Sequence, residues 1–120
     1  ILDAYNANPS SMAAALRSFA ARPAPAEQAR TVILGDMFEL GATSAAEHQA
    51  VGALLAELQL TSAVLIGPLM QAAAEAHPAA RYFADKAAAA GWLAQQPVAG
   101  QLILLKGSRG MGLETLLPLL

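Results

Sequence analysis

The stretch Lys106-Gly107-Ser108-Arg109-Gly110-Met111-Gly112 puts three glycines and two cations into seven residues. A glycine-rich turn leading from a strand into a helix directs backbone amides outward. The helix N-terminus adds partial positive charge, so the combination suits an anion. Arg109 could hold a carboxylate or phosphate through two parallel N–H bonds, with Lys106 adding a point charge. The bland alternative is a flexible turn carrying two solvated cations. This is not a phosphate-binding Walker loop, in which the Lys follows the last Gly and precedes Ser or Thr.

Two other stretches carry chemistry. Leu34-Gly35-Asp36-Met37-Phe38-Glu39-Leu40-Gly41 sets two acids between glycines after an apolar run, where they could bind an ammonium group or orient another ligand. Against this stands a loop in which Asp36 satisfies neighbouring amides, as Asp does in turns. Asp3-Ala4-Tyr5-Asn6-Ala7-Asn8-Pro9 offers an acid, an aromatic and two amides. An Asp at a strand end can accept ribose hydroxyls while Tyr or Asn faces a base. The bland reading makes Asn8 a helix cap and Tyr5 core packing. His48 and His77 lack a second His, Cys or acid at ligand spacing, so no metal site is expected. His48 reads as a half-buried or capping residue and His77 as part of a loop. No Ser-His-Asp arrangement is defensible, Trp92 reads as core, and no catalytic residue is assigned within these 120 residues.

The elements that must position these groups alternate along the chain. Met12, Leu16 and Phe19 recur at helical spacing after Asn8-Pro9, where Pro suits the first turn. Val51, Leu54, Leu55 and Leu58 form a second stripe, preceded by Ser44-Ala45-Ala46-Glu47, a pattern that matches a capping box. Further helices are expected over residues 69–76 and 85–95, the latter capped by Asp85, with a last helical stretch starting near Gly112. The runs 31–34, 63–66 and 102–105 are apolar on both faces, as strands covered on both sides require. Residues 81–83 make a weaker strand, Ile1-Leu2 the stump of another, and residues 22–26 a surface loop. The alternation predicts an α/β domain: a Rossmann-like, doubly wound, mostly parallel sheet with helices on both faces. In such sheets ligands bind beyond the carboxyl ends of the strands, where the polar stretches above all fall.

Composition narrows the function. The chain has 120 residues, 56% hydrophobic and 13% charged, which fits one domain and excludes a disordered chain. Seven Lys and Arg against nine Asp and Glu, a net charge of −2, argue against a nucleic-acid partner. Thirty residues are alanine, so the hydropathy overstates the apolar area available. No apolar run approaches the roughly 18–20 residues that cross a bilayer, so no membrane partner is expected. The absence of cysteine removes thiolate chemistry and suits a reducing cytoplasm. The chain opens without Met, on residues that read as mid-strand, and is expected to be a piece of something longer.

Taken together, segments 3–9, 34–41 and 105–114, with His48, Val51 and Gly52 between them, resemble the C-terminal domain of the Mur ligases over essentially the whole chain. The similarity is to the branch that adds D-Ala-D-Ala. Sister ligases adding other amino acids, and folylpolyglutamate synthase, typically carry a histidine-containing Ala-His-Asn/Thr-Pro type motif where this chain has Tyr5-Asn6-Ala7-Asn8-Pro9. The resemblance implies a three-domain bacterial cytoplasmic enzyme of peptidoglycan precursor synthesis, whose N-terminal and central domains lie upstream. In that family ATP with Mg²⁺ converts the carboxylate of a UDP-N-acetylmuramoyl tripeptide to an acyl phosphate, which the D-Ala-D-Ala amine attacks. By the same resemblance Asp3, Tyr5 and Asn6 face the nucleotide. Asn8, Asp36, Glu39, Lys106, Ser108 and Arg109 face the incoming substrate, with Arg109 on the dipeptide carboxylate. The residues that bind the phosphates and Mg²⁺ are expected upstream, leaving this stretch inactive by itself. A sister ligase's C-terminal domain, or a non-catalytic receiver-like α/β ligand-binding module, are the competing readings.

Overall fold

Asn8 starts the first helix by a reciprocal pair of bonds. Its side-chain oxygen accepts from the Ser11 amide at 2.9 Å, and the Ser11 hydroxyl accepts from the Asn8 amide at 3.0 Å. With Pro9 in the first turn, helix α1 runs Pro9–Ala21 and buries Met12, Leu16 and Phe19. The computed structural model describes residues 2–3 (backbone alone), 7–23, 29–96 and 101–120. Tyr5, Asn6 and the Asp3 side chain lie outside the described residues.

Around α1 the chain builds strands β1 (Leu2–Asp3), β2 (Arg30–Gly35), β3 (Ala63–Ile66), β4 (Arg81–Phe83) and β5 (Leu102–Lys106). Between them come α2 (Ser44–Glu57), α3 (Gln71–Ala76) and α4 (Lys86–Gln95). The strands form one sheet in the order β1-β5-β2-β3-β4, and every pairing among the described residues is parallel. The period-two alternation of strand side chains divides the core in two. Val32, Leu34, Ala63, Leu65 and Leu104 face α1, α2 and α3. Ile33, Val64, Ile66 and Leu105 face α4 and the C-terminal turns. The expected doubly wound α/β sheet is therefore the observed one.

Two local expectations change. Ser44 and Glu47 form no capping box: a 3-10 turn, Gly41–Thr43, runs directly into α2, so Ser44 is already helical and its amide is already bonded to Gly41 O. The last helical stretch is 3-10, first Arg109–Met111 and then Leu113–Leu119. Gly112, at φ 62°, breaks it into two pieces, and Pro118 lacks the amide that an α-helix would use. Asp85 caps α4 as expected, accepting from the Ala88 amide at 2.8 Å.

Candidate functional site

From β2 the chain steps outward to β3 and β4, then returns to place β5 between β1 and β2. Winding reverses at the β5/β2 boundary, the kind of switch point at which open α/β sheets bind ligands beyond the strand ends. Two glycines let the backbones close up at this point. A Cβ on Gly107 would sit 3.1 Å from the Gly35 Cα and 2.8 Å from Leu113.

The loops leaving β2 and β5 are stitched together. The Ser108 amide donates to the Asp36 carbonyl at 3.0 Å, and the Phe38 amide donates to the Ser108 hydroxyl at 2.8 Å. The Phe38 ring lies against Gly110, where a Cβ would meet it at 2.9 Å, and it is 41% exposed. Lys86 reaches over from α4 and donates to the Gly112 carbonyl at 3.1 Å. Segments 36–41 and 107–112 thus form one continuous rim over the switch point.

The residues named from sequence separate by burial on this rim. Glu39 and Arg109 are exposed, as is Asn8 at the head of α1. Lys106, Asp36 and Ser108 are buried, at 1%, 2% and 8% exposure. Asp3 stands beside Lys106 in the β1–β5 register, also at the carboxyl edge. Asp36 aims its carboxylate inward at the β3–α3 turn, where the Met70 amide donates to it at 2.9 Å and Leu69 supplies a second amide. Burial raises its pKa above the ordinary carboxylate value, with the two amides pulling against that rise. Burial also raises the Tyr82 pKa, and the nearby Asp36 charge adds to the effect.

Gly67, Phe38 and Lys86 also shape the rim, while His77 lies away from it near the amino end of β3. Gly67 holds φ 115° between Asp36 and Pro68, and the Tyr82 hydroxyl donates to its carbonyl at 2.9 Å. Phe38 and Lys86 join the rim through contacts between segments distant in the chain, which no local pattern signals. His77, read as part of a loop, is buried at the end of α3 and bonds the Leu60 carbonyl at 3.0 Å. A Gly immediately after a strand and before Pro was the one available pointer to Gly67.

The fold and its strand-end rim define an α/β domain of the doubly wound class. A family model described as "Mur ligase, glutamate ligase domain" matches residues 1–109. The chain belongs to the C-terminal domain family of the Mur ligases. It is 38% identical to the UDP-N-acetylmuramoyl-tripeptide–D-alanyl-D-alanine ligase of Treponema pallidum, covering 100% of this chain and 27% of that protein. The Escherichia coli ligase of the same name is 37% identical over 93% of this chain and 24% of its own length. The chain thus spans about a quarter of these relatives. A crystal structure of MurF from Acinetobacter baumannii superposes with a TM-score of 0.82 at 32% identity, covering 96% of this chain and 26% of that one. MurF from Thermotoga maritima in complex with ADP shares the fold, with a TM-score of 0.76 at 23% identity, over 97% of this chain and 26% of that one.

Proposed function

We infer that this chain is the C-terminal domain of a three-domain ATP-dependent amide ligase. It closes over the site in which D-Ala-D-Ala is joined to a UDP-N-acetylmuramoyl tripeptide, a bacterial cytoplasmic step of peptidoglycan precursor synthesis. The observation that carries this reading is the stitched rim. Segments 36–41 and 107–112 hold an exposed acid, Glu39, and an exposed guanidinium, Arg109, on one edge above the switch point. A zwitterionic dipeptide asks for that pairing: a planar fork for its carboxylate and an acceptor for its amino end.

Arg109 is the contact for the dipeptide carboxylate and Glu39 the contact at its amino end. Asp36, Lys106 and Ser108 act from beneath, since their burial suits shaping the rim better than touching a ligand. Asn8 is committed to the head of α1, and its place on the substrate side rests on the family resemblance. Asp3, at the end of β1 beside Lys106, stands where a ribose hydroxyl would find an acceptor, with Tyr5 and Asn6 following it. Among the described residues no group of His, Asp and Glu gathers as a metal ion requires, so none is assigned to Mg²⁺. Bound ATP with Mg²⁺ would supply the activation of the tripeptide carboxylate from the upstream domains. No described helix is long and apolar enough to cross a membrane.

The test uses the full-length protein with UDP-N-acetylmuramoyl tripeptide, ATP, Mg²⁺ and either D-Ala-D-Ala or single amino acids, reading product masses. An amide formed with the dipeptide alone is expected. A product formed with a single amino acid alone would make this a sister ligase.

A further inference from the structure

His48 lies in the first turns of α2, entirely buried, and its two ring nitrogens meet opposite kinds of partner. Nε2 is 3.0 Å from the Met37 amide, which can only donate. Nδ1 is 2.7 Å from the Ser44 carbonyl, which can only accept. These partners require the neutral ring with its proton on Nδ1 and a lone pair on Nε2. The Met37 amide has no sheet partner, because β2 ends at Gly35. His48 therefore supplies the acceptor that this buried amide would otherwise lack.

The next residue is held from the opposite side. The Phe38 amide goes to Ser108 on the β5 loop, and Ser108 returns its own amide to Asp36. Consecutive amides are thus fixed by side chains from two different elements, α2 and the β5 loop. Immediately beyond them Glu39 adopts φ 65°, a left-handed conformation that a non-glycine residue keeps only when its surroundings impose it.

We propose that His48 is a positioning residue for the incoming amino substrate: through the Met37 amide it sets where Phe38 and Glu39 stand on the rim. The proposal rests on the functional reading above. His48 touches no substrate; it acts through the loop it anchors.

Two substitutions separate anchoring from packing. His48→Phe keeps a ring of similar volume and removes the acceptor; His48→Gln restores an oxygen at about the reach of Nε2. In the full-length ligase His48→Phe is expected to raise KM for D-Ala-D-Ala about tenfold, the cost of one stranded buried amide, with KM for ATP unchanged. His48→Gln is expected to recover most of that loss. Hydrogen exchange read by mass spectrometry should show faster exchange over residues 36–40 in the Phe variant alone. Should His48→Phe fail to accumulate, His48→Asn, whose oxygen stops short of Met37, takes its place with the same expectations. Unchanged exchange over 36–40, an unchanged dipeptide KM, or ATP and dipeptide KM rising together would each overturn the proposal. A wild-type enzyme that ignores D-Ala-D-Ala overturns the functional reading itself and the proposal with it. A wild type that uses the dipeptide alongside an indifferent His48→Phe overturns the proposal alone.

Discussion

The carboxylate of Asp36 fills the space that a side chain on Gly67 would need. Gly67 also holds φ 115°, a conformation L side chains rarely adopt, so geometry and occupancy both demand glycine there. Asp36 in turn can lie so close to β3 because nothing projects from Gly67, and from there it reaches the amides of the β3–α3 turn. Gly67→Ala must move either the backbone or the carboxylate. It is expected to destabilise the chain by about 2–4 kcal/mol, seen as a lower denaturant midpoint at constant slope. A loss below about 0.5 kcal/mol would contradict this coupling.

Asp36 gives a pH signature of defined sign. Its folded pKa lies above the ordinary value because burial opposes its charge. The folded state therefore binds the proton more tightly than the unfolded chain, and stability falls as pH rises from about 4 through the folded value. Asp36→Asn removes this titration while leaving an oxygen for the Met70 amide. The stability of wild type minus that of Asp36→Asn should decline with rising pH, then level off once Asp36 is ionised in the folded state. Paired denaturation curves from acid to neutral pH measure it, and a difference that climbs with pH would reverse the assignment.

Glu39 offers a test in which stability and function move apart. Its left-handed backbone strains a non-glycine residue, and its side chain is exposed. Glu39→Gly relieves the strain at the cost of a looser unfolded chain, for a net gain of about 0.5–1 kcal/mol. The same change removes the acid assigned to the amino end of the dipeptide. A higher melting temperature together with a raised KM for D-Ala-D-Ala is expected in the full-length enzyme. A variant that loses stability would show that the loop, and not the side chain, needs this residue.

Legibility in the sequence followed the range of the interaction. Asn8 and Asp85 were readable as caps because each side chain bonds an amide three residues on. The strands around Val32, Val64 and Leu104 were readable because burial on both faces leaves an unbroken apolar run. The same local logic misplaced a cap at Ser44, since the 3-10 turn before it had already begun the helix. What stayed hidden joins distant segments. Asp36 to Met70 spans 34 residues and Ser108 to Phe38 spans 70, and no spacing rule pairs residues so far apart. Asp36 had two readings from sequence, ligand contact and amide partner. Only the approach of β3 beside β2 shows its carboxylate occupied by amides.

Arg109 carries the sharpest functional prediction, because its two obvious replacements separate charge from shape. It is exposed in the first turn after Ser108, on a rim fixed by Ser108 to the β2 loop and by Lys86 to α4. If it holds the dipeptide carboxylate through two parallel N–H bonds, Arg109→Lys keeps the charge and loses the fork. The Lys variant should then bind D-Ala-D-Ala about tenfold more weakly, and Arg109→Ala about a hundredfold, the latter having lost a charged hydrogen-bonding partner outright. KM for ATP should stay constant in both, since the proposed reading puts the nucleotide contacts at Asp3 and not at Arg109. If Lys matched Arg, charge alone would be the requirement and the bidentate contact would be wrong. If Ala matched Arg, the carboxylate would be held elsewhere on the rim.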